Sequence, residues 1–206
     1  GIAVVHSVFN VVATVLLLPF SDKLEKLACL TIRDDVAEEK EESAAEKDFR
    51  LLDIRFLDTP GLAVDHCRMV AKNMAKLTKE AIFTASEIIT EYDEKKADRV
   101  ITLENEIDRY EDELGTYMVK LSQQQLSESD SHKLSVILHC LSDFERISDH
   151  AVNLVESSRE MKDKNQEFSK KAKEELAVFT QAVKDIVDVS FEVFEQEDLE
   201  KAMFVE

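Results

Sequence analysis

The sequence has few residues that bend a chain: two prolines and three glycines among 206 residues, with no tryptophan. So few turn formers leave little room for a fold built on many tight turns. With Glu, Lys, Ala and Leu abundant, long helices joined by short connections are expected. An excess of positive charge is also missing. The formal net charge is −18, which argues against nucleic acid as a partner, because phosphate backbones attract lysine and arginine surfaces. Cations are the more natural ligands.

The three cysteines, Cys29, Cys67 and Cys140, are scattered and odd in number, with no CxxC pair. That pattern excludes a disulfide framework and fits a reducing compartment. Each is read as a small apolar residue buried in a helix. A Gly-rich phosphate loop, a nucleophile elbow and a zinc-spacing cluster are all lacking. The residues three before His66, His132, His139 and His150 are Ala63, Ser129, Val136 and Ile147. None is Glu, so the Glu-x-x-His pattern of di-iron bundle enzymes is missing and no enzyme is expected. His139 and Cys140 are consecutive on a helix and point apart, so they are not read as a metal pair.

The chain does contain a long uncharged opening, GIAVVHSVFNVVATVLLLPF, with no acidic or basic side chain before Asp22. Ile2–Phe20 is about the length an α-helix needs to cross a bilayer core. Residues 1–21 are therefore read as a transmembrane helix. Lys23, Lys26 and Arg33 follow it, which places the rest of the chain in the cytoplasm beneath a cell membrane. A signal peptide fits worse, for want of a basic n-region and a cleavage site. His6, Asn10 and Thr14 recur every four residues, with Ser7 beside them. They are transport-path candidates or hydrogen-bonding residues between helices, and spacing leaves both readings open. A start at Gly1 rather than Met reads as a piece of a longer protein.

Residues 22–60 read as an acidic linker. Its run DDVAEEKEESAAEKD, Asp34 to Asp48, is read as solvated and without chemistry. Pro60 and Gly61 mark a turn that opens a helical region over 61–206. Helices are expected at about Ala63–Asp93, Ala97–Gln124 and His132–Met161, with a fourth starting near Ser169 and a polar connection at Ser127–Ser131. The second has a heptad seam: Val100, Leu103, Ile107, Tyr110, Leu114, Tyr117 and Leu121, in alternating steps of three and four. The fourth matches the first when Met74 is set against Leu176: MAKLTKEAIFTASEIITEYDE lies over LAVFTQAVKDIVDVSFEVFEQ with apolar positions largely shared. A duplicated three-helix unit is expected, the first over about 63–161 and a truncated second over about 169–206. The apolar groove left by truncation would be filled by a neighbouring chain, so a homo-oligomer is one expected partner.

Paired carboxylates are the most specific chemistry. Glu145 and Asp149 lie four apart in DFERISDHAVNLVE, and Glu104 and Asp108 lie four apart in LENEID. Such a spacing stacks like charges on one helix face, where they repel. Two antiparallel helices could bring both rows to a common strip, where a hard cation would relieve the repulsion. Asp112 continues the first row and Asn153 the second. In so acidic a chain the alternative is a plain solvated face, with Arg146 as an ion-pair partner of Glu145.

These residues resemble a known combination. DFERISDHAVNLVE is similar to the DLERIGDHAxNIxE signature of the PhoU family, with Phe144 in place of Leu and Ser148 in place of Gly. LENEIDRYEDEL resembles the matching helix. The start, with Ala3, His6, Phe9, Asn10 and the ending Leu18, Pro19, Phe20, resembles the last conserved membrane helix of bacterial type II sodium/phosphate cotransporters. RFLDTPGLAVDH resembles the connector that follows it. The resemblance implies an all-α, PhoU-like bundle of repeated three-helix units behind one transmembrane helix. It implies clusters of divalent or trivalent metal ions, iron, zinc or manganese, with Glu145 and Asp149 as first ligand candidates and Glu104 and Asp108 as the next. It also implies regulation of a transporter that moves phosphate with sodium, the domain's partner being its own membrane part. The QSSS-type transport motifs are absent, so this piece alone is not expected to transport. The alternative function is a membrane-attached helical signalling or scaffold module without metal.

Overall fold

Residues 44–196 form five α-helices and two 3-10 turns, and no strand occurs among the described residues. The all-α expectation is met. The computed structural model describes residues 5–7, 9, 44–196 and 202. The chain divides into two units, Gly1–Ser43 and Ala44–Glu206. In the first unit only Val5, His6, Ser7 and Phe9 are described, all helical and exposed. The span read over 1–21 therefore lies almost wholly outside the described residues, as do Asn10 and Thr14. Among the described residues, no helix is long and apolar enough to cross a membrane.

In the second unit the helices are α1 (Ala44–Phe49), α2 (Pro60–Ile88), α3 (Glu94–Leu121), α4 (Glu128–Asp163) and α5 (Lys170–Gln196). Each start follows local chemistry. Pro60 at the first turn of α2 has no N–H to leave unsatisfied. The Asp93 carboxylate accepts from the amides of Lys95 and Lys96, so Asp93 caps α3 rather than ending α2. Ser127 caps α4 by accepting from the Asp130 amide, and Glu128 and Asp130 stand in the first turn, where negative charge is favoured. The polar stretch expected to connect two helices is thus the beginning of one. Two residues past the end of α4, Asn165 has a φ of 50°, the left-handed conformation that Asn tolerates.

α2, α3 and α4 pack mutually into one core. All seven seam residues of α3 are buried, each worth about 1.5–3 kcal/mol if fully transferred from water. α2 meets its neighbours through small residues: Ala63, Cys67, Ala71, Ala75, Ala81 and Ala85 are all buried. Burial pushes the Cys67 thiol up to about 12, so it behaves as a small apolar residue. Cys140 is half-buried, and Cys29 lies outside the described residues.

Part of the stretch read as linker is a strap on this core. Ala45 and Leu57 are buried, and Phe49, Leu52 and Phe56 pack against the core cluster. The Asp48 carboxylate accepts from the Tyr110 hydroxyl at 2.6 Å and from the Asn73 amide at 2.9 and 3.0 Å. Tyr117 donates to the Asp53 carbonyl at 3.2 Å, and the His66 ring lies 3.0 Å from the Leu51 carbonyl. Burial first, then the Asp48 carboxylate, holds the Tyr110 phenol far above its ordinary range. Tyr110 therefore stays a neutral donor.

Two measurements test this packing. Tyr110→Phe removes one bond to a charged acceptor and is expected to cost about 1.5–3 kcal/mol. Amide exchange in 44–58 should then quicken before exchange in α2–α4; unchanged exchange would mean that apolar contacts alone hold the strap. In α3, a Cβ added at Gly115 would meet Leu141 Cδ2 at 3.7 Å, an ordinary contact. Gly115→Ala should raise unfolding stability by about 0.5–1 kcal/mol, read from the denaturant midpoint.

Candidate functional site

On α3 the core positions Leu103 and Ile107 are each followed by a carboxylate, Glu104 and Asp108. On α4 the core positions Phe144 and Ser148 are likewise followed by Glu145 and Asp149. One residue advances a helix by about 100°, and α3 and α4 share a short connection and run antiparallel. In antiparallel neighbours the same one-residue offset turns both rows toward the same side, the solvent-facing groove between the two helices. Glu104 and Glu145 are half-buried there, and Asp108 and Asp149 are exposed.

The electrostatics show that the rows face each other. The Glu104 carboxyl is raised by burial first, then by Asp108 and by Asp149 across the groove. Asp108 is raised by burial, then by Asp149 and Asp112. Glu145 is raised by burial, then by Asp149 and Asp108, with a hydrogen bond to Asp149 and the charge of Glu111 adding to it. The charge of Asp149 bears on all three. No lysine or arginine makes an ion pair with any of the four among the described residues. Arg146 is exposed and pairs with none of them, so it does not offset Glu145.

All four predicted ligands thus come to one groove, and Asp112 extends it. Asn153 is exposed on α4, its carbonyl accepting from Ser157. His6 belongs to the other unit, with its ring exposed. As a donor set the four carboxylates suit a hard cation, being all oxygen and all negatively charged. Among the described residues, no group of three or more His, Cys, Asp or Glu converges closely enough to hold a metal ion. Ser148 is fully buried and its hydroxyl is satisfied by the Glu145 carbonyl at 3.0 Å, so serine fits where the family signature has glycine.

With this geometry in view, comparison with protein families matches residues 71–158 to the PhoU domain. Over these residues the chain is similar to a PhoU domain. The match runs from Ala71 in α2 to Ser158 in α4, so it takes in the whole of α3 and both carboxylate rows. The strap and α5 lie outside the matched PhoU residues. No curated protein matches the chain, and no solved structure does. Sequence reasoning missed Asp48, which holds the strap to the PhoU core. The signal was present as Ala45, Phe49, Leu52 and Phe56, spaced by four, three and four, an amphipathic stripe within an acidic run.

The raised carboxyls fix a sign for pH dependence. A carboxyl raised in the folded state contributes stability that is present below its unfolded value and lost as pH rises through its folded value. In chelator, the repulsion therefore weakens the fold at neutral pH. Asp149→Asn removes the shared charge and should raise the melting temperature at pH 7. The difference should vanish below about pH 4, where carboxyls are protonated in both states. Equal melting of the two proteins at pH 7 would mean that the rows do not repel.

Proposed function

We propose that this chain is a PhoU-type regulatory domain in phosphate handling, which binds a divalent or trivalent cation in the α3–α4 groove and serves a sodium-dependent phosphate transporter. One observation supports the metal part above the rest: two carboxylate rows within the PhoU match face each other with no basic side chain between them. Glu145 and Asp149 would hold the ion from α4, and Glu104 and Asp108 from α3. A bound cation would supply the positive charge that the groove lacks. Because no three of these groups converge on one point as they stand, holding the ion requires the carboxyls to turn toward a common centre.

Regulation requires two states that differ in affinity for an ion or partner. The groove offers such a pair: closed around a cation, or relaxed by repulsion without one. The transporter link rests on the opening residues, where Ala3, His6, Phe9 and Asn10 precede Leu18, Pro19 and Phe20. The lack of three converging ligands among the described residues favours one further reading, a helical scaffold whose carboxylates are only solvated.

Metal content separates the two readings. Protein purified without chelator should carry stoichiometric iron, zinc or manganese by mass spectrometry, and the Glu145→Ala/Asp149→Ala double variant should lose it. A metal-free wild-type protein that also takes up none of these ions on dialysis would leave the scaffold reading. Phosphate uptake by a full-length protein with and without this domain tests the transporter link, and unchanged rate and regulation would end it.

A further inference from the structure

We propose that the cleft between α4 and α5 binds a free aromatic amino acid as its zwitterion. The cleft has a volume of about 480 Å³. Its apolar lining comes from Cys140, Phe144 and Ile147 of α4 and from Phe191 and Phe194 of α5. The three rings pack on one another: Phe191 stacks on Phe144 and Phe194 meets it edge-on, each with ring centroids 5.1 Å apart. Phe144 and Phe191 are buried, whereas Cys140, Ile147 and Phe194 are only half-buried. Apolar surface in the cleft therefore remains for a ligand to cover. One more ring there would extend an aromatic cluster already in place, and aromatic pairs attract beyond the area they bury. A mostly apolar cleft of this size with a few polar groups is the usual form of a small-molecule site.

Two opposite charges stand within one helical turn beside these rings. Asp143 and Arg146 both line the cleft, and among the described residues they are its only carboxylate and its only guanidinium. Both are exposed. Three residues apart on α4, they are placed for an ion pair, yet they do not pair with each other. Neither side chain makes a hydrogen bond or ion pair among the described residues. Arginine keeps its charge throughout the working range of a protein. The charge of Asp143 reaches into the cleft: after burial, it is what raises the Cys140 thiol, and Cys140 belongs to the same lining.

Charge and size together define the ligand. A carboxylate alone would pair with Arg146 and stand beside Asp143, and an amine alone would do the reverse. A zwitterion satisfies both. Its α-ammonium meets Asp143, and its α-carboxylate takes the planar guanidinium of Arg146 through two parallel hydrogen bonds. Having no net charge, it also escapes the repulsion that a chain of net charge −18 exerts on anions. At about 30 Å³ per water-sized group, the cleft holds roughly sixteen non-hydrogen atoms, the size of tryptophan. An aromatic residue within a peptide lacks both charges and would leave Asp143 and Arg146 unused. This site is separate from the α3–α4 groove and does not depend on metal binding there.

Calorimetric titration of the whole chain in chelator with L-tryptophan and four relatives tests the assignment. Tryptophan should bind saturably at one site. Tryptamine lacks the carboxylate, indolepropionate the ammonium, N-acetyltryptophanamide both charges and glycine the ring. Each should bind at least about tenfold more weakly. Arg146→Gln should weaken tryptophan about tenfold without weakening tryptamine, and Asp143→Asn should weaken tryptophan about tenfold without weakening indolepropionate. Both positions are exposed, so the helical circular dichroism of the variants should match that of the wild type. No binding of tryptophan would overturn the proposal. So would an affinity for tryptophan that both substitutions leave unchanged. N-acetyltryptophanamide binding as tightly as tryptophan would mean an ordinary apolar cleft open to peptide side chains, and tryptamine, indolepropionate or glycine doing so would remove the zwitterion; each overturns the assignment.

Discussion

The close approach of α3 and α4 to α2 governs the rest of this structure. It depends on the small buried face of α2, where Ala63, Cys67, Ala71, Ala75, Ala81 and Ala85 leave space for the larger side chains of both neighbours. Leu103, Ile107, Tyr110 and Leu114 of α3 fill that space from one side, and Leu134, Ile137, Leu141 and Phe144 of α4 from the other. Packing of this kind tolerates little change in volume. Because the core positions are fixed, the residues one step past them are fixed too, and those are Glu104, Asp108, Glu145 and Asp149. The carboxylate groove is thus a by-product of core register, held in place by apolar burial against its own electrostatics.

That arrangement sets stability against function in a small domain. Repulsion among four carboxylates without a basic partner would normally be relieved by a lysine or arginine. The bundle places its ion pairs elsewhere, as between Arg99 and Glu80 or Lys96 and Glu87. Exposed pairs of that type contribute about 0–1 kcal/mol each, so the groove is not short of cations for lack of supply in the sequence. Its bare negative charge is what a cation site needs and what a structural surface would avoid. The strap reinforces the opposite side. Asp48 is bound by Asn73 of α2 and Tyr110 of α3, which ties those two helices together.

Periodicity made most of the bundle legible. Val100 through Leu121 spelled out a seam that is buried throughout, and Glu145 with Asp149 announced a groove that α3 completes. What periodicity could not show was context carried by single polar residues. Asp93 looked like the end of one helix because its neighbours continue the apolar pattern, yet its carboxylate caps the next. Ser127–Ser131 looked like a connection because serine and acid are common in loops, and the same residues are favoured at a helix start. Asp48 was lost in an acidic run, since composition there outweighed four apolar residues at helical spacing. Convergence of side chains on a metal lies beyond sequence altogether: spacing gives the face, and only rotamers decide whether oxygens meet.

α5 reaches α4, the helix that carries Glu145 and Asp149, through aromatic rings. It makes ion pairs to α2 through Lys79 with Asp188 and Lys184 with Glu87, both partly exposed and so weak. Its firmest apolar anchor is aromatic: Phe191 and Phe194 each pack on Phe144, with ring centroids 5.1 Å apart. Phe144 stands where the resembled signature has leucine, and the larger ring is what reaches α5. The same residue immediately precedes Glu145. Phe144 thus has two roles of position: its ring anchors α5, and its place in the core register sets Glu145 on the groove side of α4.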